Sequence, residues 1–489
     1  MRLQYIRNST LISYISYSNL SMRNCLLLIN CLLAATLLAQ PIKPFPPLPS
    51  KEQLQWHEKE FYLFIHFGPN TFTDKEWGEG NEDPSVFNPT ALDCEQWAQI
   101  AKKAGAKGII LTAKHHDGFC LWPSKFSTHT VRESKWKNGK GDVVKALADA
   151  CKKTGIEMGI YISPWDRNHP VYGTPGYNDV YLSTMKELLT NYGNFFELWW
   201  DGANGEGPNG KKQQYDFKRF QDSAFTWQPQ VVIFSDIGPG IRWCGNENGF
   251  LGNTNWNLLD TAGFSRGSGA PPTDTLNQGN VNGRYWIPAE ADVSIRPGWF
   301  YHAAEDTKVK SPENLFNLYL QSVGHGGNLL LNVPPDRTGK INAADSAALM
   351  GFRKIREAAF TTDLFAKAKI STNTHQNKNL DKLTDHDINT FWVSSHQENT
   401  VLVFELPQKK QVNSIVLEEM IKYGQRVQAF TIEVSDGNSY RNVFTGTTIG
   451  RKKIAVFEKQ ETDKIKITIT RAKAVPVLRG VAGYMINTL

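Results

Sequence analysis

The residues best placed to do chemistry lie in Phe195-Phe196-Glu197-Leu198-Trp199-Trp200-Asp201-Gly202. The stretch is aromatic and apolar up to a carboxylate and then stops at glycine, as a buried strand ending in a reactive group would. Alternate side chains of a strand share a face, so Trp199 and Asp201 point one way and Trp200 the other. An aspartate so placed can act as a nucleophile in sugar chemistry, with Trp199 lining the same pocket. The plainer reading is an Asp-Gly turn. Glycoside hydrolysis needs a second carboxyl: one attacks the anomeric carbon or guides water, and the other protonates the leaving oxygen. Glu247, in Arg242-Trp243-Cys244-Gly245-Asn246-Glu247-Asn248-Gly249, is the second candidate, because glycines on either side suit an irregular loop that presents a side chain. Its plainer reading is a solvated loop carboxylate. Glu290, in Pro288-Ala289-Glu290-Ala291-Asp292, is the rival.

His66, His115 and His116 invite a metal reading. Adjacent residues on a strand point to opposite faces, so His115 and His116 would not both reach one ion, and neither H-x-H nor H-E-x-x-H occurs. Hydrogen bonding to sugar hydroxyls is preferred; the alternative is core histidines with ordinary partners. Glu76-Trp77 would add a hydroxyl acceptor and a stacking face, unless it is an ordinary surface loop. Gly263-Phe264-Ser265-Arg266-Gly267 fits G-x-S-x-G but lacks the strand before and the helix after that a nucleophile elbow needs.

The elements that must position these groups alternate. Buried strands are expected at residues 61–68, 108–116, 158–164, 196–200, 231–236 and 328–333. Helices are expected at 95–104, 142–153, 181–192, 212–224 and 312–323, with Asp142 as a cap and Gly105 and Gly155 as stops. Near-continuous apolar strands alternating with helices mean parallel βα units. His66, His116, Asp201 and Asp236 end four different strands, and no G-x-G-x-x-G follows any strand. This favours an α/β architecture with a (β/α)8-like TIM barrel, active at its C-terminal rim, over an open doubly wound sheet with one switch point. Residues 246–292, rich in Gly and Asn, read as long active-site loops. From residue 369 only short strands and turns remain, the pattern of an all-β sandwich. The expected organisation is a leader at 1–39, a linker at 40–54, the barrel at 55–345, a helical connector at 346–368 and the sandwich at 369–489.

The chain has 489 residues, 40% of them hydrophobic and 21% charged, enough to bury a sizeable core. A net charge of +6 is mild, and the Lys and Arg residues are scattered, so no nucleic-acid partner is expected. Six cysteines without a C-x-x-C make neither a zinc framework nor a disulfide scaffold. At the N-terminus, Met22-Arg23 precedes an apolar run from Cys25 to Ala39, interrupted by Asn30. This reads as an export signal with translation starting at Met22 and cleavage near Ala39. The run is short for a membrane span, so stable insertion of the mature chain is not expected. The location that follows is outside a bacterial cytoplasm, in the periplasm or the extracellular medium.

Five motifs together resemble the α-L-fucosidases of glycoside hydrolase family 29. They are Phe64-Ile65-His66-Phe67-Gly68, Glu76-Trp77, Lys114-His115-His116-Asp117-Gly118-Phe119, Leu198-Trp199-Trp200-Asp201-Gly202 and Gly324-His325-Gly326-Gly327-Asn328, spread over residues 55–345. The resemblance implies hydrolysis with retention, a nucleophile at Asp201, and no required cofactor. It implies contacts to fucose hydroxyls from His66, Glu76, Trp77, His115, His116 and Tyr161, with Trp299 near the sugar methyl. Gly245-Asn246-Glu247 followed by Ile287-Pro288-Ala289-Glu290 is similar to the branch that prefers α-1,3 and α-1,4 linkages, in which the acid/base matches Glu247; Glu290 stays in play. The expected partner is a fucosylated oligosaccharide or glycoconjugate. The tail resembles discoidin-like F5/8 type C domains through Leu383-Thr384-Asp385 and Thr390-Phe391-Trp392. Some of those bind sugars or a structural calcium ion, while others only support. Two other classes compete: a barrel hydrolase for another sugar such as galactose, and a non-catalytic carbohydrate-binding protein. The number of subunits is not fixed by the sequence.

Overall fold

Eight parallel strands close into a barrel: β1 (Phe61–Ile65), β2 (Gly108–Lys114), β3 (Glu157–Ile162), β4 (Glu197–Trp199), β5 (Val232–Ser235), β6 (Ile241–Trp243), β9 (Ala289–Ser294) and β10 (Asn328–Asn332). Between β6 and β9 a two-stranded antiparallel ribbon, β7 (Leu258–Leu259) with β8 (Tyr285–Trp286), organises the long insertion. The computed structural model describes residues 42–267, 269–375 and 378–488, so the expected leader, with Cys25 and Cys31, lies outside the described residues. The account below concerns the unit Pro44–Leu489.

Alternation decides what fills the barrel. Tyr62, Phe64, Ile110, Tyr161, Trp199, Phe234 and Leu330 pack inside it, while Leu63, Leu111, Ile160, Leu198, Trp200 and Leu331 face the surrounding helices. Trp199 and Trp200 thus part to opposite faces, as the pleat requires. The helices form where polar caps meet apolar stripes: Asp93 accepts from Gln96 N at the start of Cys94–Ala104, Asp142 does the same for Val143–Thr154, and Gly105 and Gly155 end both in left-handed conformation.

Several elements differ from expectation. β6 lies between the expected fifth strand, 231–236, and the expected loops, 246–292, where no element is expected, and β9 overlaps the end of those loops. β6 is three residues long with a central arginine, and β9 reads Ala-Glu-Ala-Asp-Val-Ser, whose carboxylates point into the barrel instead of marking a loop. No helix joins β5 to β6. The third and fourth expected helices are observed at Tyr177–Asn191 and Phe217–Trp227. The helix Ala343–Ala359, expected as part of a connector, packs on Pro312–Ser322 and Cys94–Ala104, and Phe352 stands edge-on to Phe61 on β1 at 5.3 Å; it belongs to the barrel wall. Residues at the end of the expected linker form another helix, Lys51–His57, whose Gln53 donates to the carbonyls of Gly240 and Trp286, both at 2.8 Å.

The tail folds as seven antiparallel strands hydrogen-bonded in one sheet around a core that includes Phe365, Trp392, Phe404, Phe430 and Ile467. The sandwich was expected from many short strands. Instead two 20-residue strands, Thr400–Glu419 and Lys453–Ala472, run through the sheet, with register breaks between Glu405 and Lys410 and between Val412 and Ser414.

Tail and barrel meet through charges. Arg451 reaches Glu58 at 2.7 Å, Glu60 at 3.4 Å and Glu418 at 2.9 Å, and Arg479 reaches Glu58 at 2.6 Å and Glu418 at 2.9 Å. The Gln425 amide adds two bonds to the barrel insertion, donating to Asn255 O at 2.9 Å and accepting from Asn257 N at 2.8 Å. Burial alone would raise Glu60, but Lys452 and Arg451 overrule it and hold its carboxyl at about 2. Glu418 is likewise drawn down against burial by Lys452, Arg451 and Arg479. Depressed folded-state values mean stability that is complete above the unfolded carboxylate value of about 4.3 and lost as pH falls below it. The melting temperature is therefore expected to hold from pH 7 to about 5 and to fall steeply below about 4. Arg451→Ala removes a buried guanidinium from three partly exposed carboxylates that keep Arg479 and Lys452, and should lower unfolding free energy by about 1–3 kcal/mol in denaturant titration at pH 7.

Candidate active site

A cavity of about 160 Å³ opens among the ends of the barrel strands. Phe64, His66, Glu76, Trp77, His115, His116, Tyr161, Trp199, Asp201, Ala203, Glu247, Asp292 and Trp299 line it. This is small beside typical ligand pockets of roughly 300–1,000 Å³ and suits a single sugar ring. A larger hollow of about 850 Å³ lies between Tyr215 and Tyr285, but its lining holds one carboxylate, Asp216, and two-carboxyl chemistry is closed to it.

Asp201 stands just past β4, on the inward face set by Glu197 and Trp199. Its Oδ2 accepts from the Tyr161 hydroxyl at 3.0 Å and its Oδ1 from Ala203 N at 2.8 Å. His116 Nε2 lies 3.7 Å from Oδ2. Burial, then the charge of Asp201, keeps the Tyr161 phenol protonated and so a donor. Gly202 is needed beside the carboxylate: a Cβ there would sit 2.2 Å from an Asp236 oxygen.

Glu247 comes from the loop after β6. Gly245 and Gly249 flank it at φ +82° and +75°, conformations that favour glycine, and a Cβ on Gly245 would lie 2.5 Å from Thr273 O. The Trp299 indole donates to Glu247 Oε2 at 3.2 Å. Burial pushes the Glu247 carboxyl up, and the charges of Asp201 and Glu76 push it further, against the Trp299 hydrogen bond.

The three histidines are held neutral. Burial takes His66 down to about 3 and lowers His115 and His116, although Asp201 pulls His116 back in part. His66 Nδ1 faces Asn332 Oδ1 at 2.8 Å and must donate to it, leaving Nε2 as an acceptor. Ser163 Oγ spends its proton on Trp165 O, so it accepts from His116 Nδ1 at 2.8 Å, and His116 Nε2 is again an acceptor. The expectation that His115 and His116 face opposite ways is corrected. β2 ends at Lys114, after a register break, and both rings enter the cavity with centroids 4.2 Å apart. Among the described residues no group of three or more His, Cys, Asp or Glu is arranged to hold a metal ion.

Glu76, expected as a hydroxyl acceptor, is largely occupied in joining two loops. It accepts from Trp299 N at 2.8 Å, Phe300 N at 3.1 Å and His302 Nε2 at 2.7 Å. Trp77 beside it is half-exposed and meets His116 edge-on at 5.5 Å. Tyr161, expected on a sugar hydroxyl, gives its proton to Asp201. Glu290 is not in the cavity. It is fully buried within the barrel, accepting from Tyr62 and, at 2.9 Å, from the Trp199 indole. Asp292, two residues on and on the same face, is the carboxyl that reaches the cavity from β9; the Trp243 indole donates to it at 3.1 Å. Burial, then the charges of Glu247 and Glu290, raises its carboxyl well above the ordinary range. Strand alternation from Glu290 would have found it had residues 289–294 been read as a strand.

A closed parallel barrel whose rim brings a hydrogen-bonded aspartate and a glutamate with a raised carboxyl into one sugar-sized cavity is the architecture of a glycoside hydrolase. Residues 43–354 match the family described as Alpha-L-fucosidase, and residues 367–479 match the F5/8 type C domain. Alpha-L-fucosidase 1 of Arabidopsis thaliana is 41% identical over 458 residues, covering 91% of this chain and 89% of its own. Among solved structures, SpGH29 superposes with a TM-score of 0.86 at 36% identity, covering 91% of this chain and all of that one. A GH29 fucosidase of Ruminococcus gnavus in complex with fucose does so with a TM-score of 0.83 at 30% identity, over 92% and 97% of the two chains. The chain belongs to the α-L-fucosidase family and is a glycoside hydrolase of that class. This replaces the readings of a galactose hydrolase and of a non-catalytic sugar binder.

Gly298 tests the loop junction. A Cβ there would lie 2.6 Å from Glu76 Oε1, an oxygen already engaged by Phe300 and His302. Gly298→Ala should displace the carboxylate from the Trp299 and Phe300 amides. The expected result is a KM for an aryl α-L-fucoside raised roughly tenfold, with far-ultraviolet circular dichroism unchanged.

Proposed function

We propose that the protein is an exported, retaining α-L-fucosidase that removes terminal α-1,3- or α-1,4-linked fucose from oligosaccharides or glycoconjugates. The observation that carries this reading is the shared cavity of Asp201 and Glu247. Asp201 accepts from the Tyr161 hydroxyl and the Ala203 amide, and burial raises the Glu247 carboxyl, as a group that donates a proton calls for. In the first step Asp201 attacks the anomeric carbon while Glu247 gives its proton to the departing oxygen. In the second, Glu247 takes a proton from water, which displaces Asp201 and frees fucose. Retention calls for carboxyl groups about 5–5.5 Å apart. The acceptor nitrogens of His66 and His116 suit the donor hydroxyls of the sugar, and the rings of Trp299 and Phe64 suit its methyl group. No cofactor enters either step. A calcium ion in the tail would be structural.

Export rests on the leader sequence, and linkage rests on the similarity of the segments around Glu247 and Ile287 to the α-1,3/1,4-preferring branch. Asp201→Ala should lose turnover of an aryl α-L-fucoside by at least about 10⁴-fold. Glu247→Ala should keep turnover of a substrate with a good leaving group and gain rate with azide, giving the azide product of retained configuration by NMR. Rescue in Glu290→Ala instead would move the acid/base. On a panel of fucosylated oligosaccharides, branched Lewis-type trisaccharides should be cleaved at least about tenfold faster, by kcat/KM, than a linear α-1,2-fucoside; equal rates would sink the linkage assignment.

A further inference from the structure

The barrel interior holds two carboxyls that the proposed reaction does not touch. Glu197 and Glu290 are both fully buried, and burying a carboxylate is costly unless it is compensated. Glu290 is well supplied: Oε1 accepts from the Trp199 indole at 2.9 Å and Oε2 from the Tyr62 hydroxyl. Glu197 Oε2 accepts from the Trp56 indole at 3.1 Å, but Oε1 receives no N–H or O–H donor. Burial raises both carboxyls, Glu290 to about 7, and the charge of Glu290 adds to the rise at Glu197. The two groups differ in their donors: Glu290 has one for each oxygen, Glu197 one in all.

What Glu290 holds is the cavity floor. Trp199 stacks on Phe234 at 4.0 Å and on Tyr161 at 5.2 Å, and Tyr161 carries the hydroxyl bonded to Asp201. Stacked rings slide over one another at little cost; a hydrogen bond to the indole N–H fixes the ring within its own plane.

We propose that Glu290 is a positioning residue for the hydrolysis. It fixes the Trp199 indole and, through the Trp199–Tyr161 stack, the hydroxyl that aims Asp201. The role rests on Asp201 being the nucleophile. It also explains a glutamate beneath the cavity that never meets the sugar.

The test uses Glu290→Gln, Trp199→Phe and the double variant, in the full chain, on an aryl α-L-fucoside. Glutamine has one acceptor oxygen and cannot serve both Trp199 and Tyr62. Trp199→Phe removes the N–H while Glu290 stays. Each single variant should lose roughly tenfold in kcat with KM within about threefold. The double variant should be no slower than the slower single, because both break the same contact. Full kcat in either single variant, or losses that multiply in the double, would overturn the role. Should Glu290→Gln not fold, Trp199→Phe decides alone, with unchanged kcat overturning the role. An active Asp201→Ala would instead sink the nucleophile assignment, so the two failures are distinguishable.

Discussion

A closed sheet of eight strands has an inside that only alternate residues can fill, and everything in the catalytic domain follows from that restriction. On β4 it sends Glu197, Trp199 and Asp201 inward in succession, and on β9 it does the same with Glu290 and Asp292. Each strand thus carries a buried carboxyl deep in the barrel and a second one higher, at the cavity. The depth of a residue along its strand, more than its type, separates a glutamate that holds an indole from an aspartate that faces a sugar.

Electrostatics in the cavity is set mainly by dryness. Three histidines lie close together, His115 5.7 Å from His66 and 4.2 Å from His116 between ring centroids, yet burial keeps them uncharged, and His66 and His116 each present an acceptor nitrogen. The same dryness raises the carboxyls of Glu247 and Asp292. Asp201 accepts from the Tyr161 hydroxyl and the Ala203 amide. One cavity therefore gathers three carboxyl groups, and among the described residues no cluster is arranged to hold a metal.

Much of this was legible in the residues. An aromatic run ending in Asp-Gly announced β4, and the caps Asp142, Gly105 and Gly155 announced the helices they bound. What escaped was where period and composition conflict. β9 looks like a loop because its inward positions carry carboxylates, and β6 is too short to show a period. His115 and His116 escaped the alternation rule because the strand had already ended. Glu76 looked free because its partners, the Trp299 and Phe300 amides and His302, lie more than two hundred residues away. Local pattern locates elements; bonds between distant loops are invisible to it.

The junction between barrel and tail has a consequence for how the molecule can be presented to its surroundings. Glu58 and Glu60 precede β1, and His325 precedes β10, so Arg451, Arg479 and Lys452 grip the barrel at the end where its strands begin. The sugar enters at the end where they finish. A bead coupled to the tail would be held on the far side, with the mouth turned away from it.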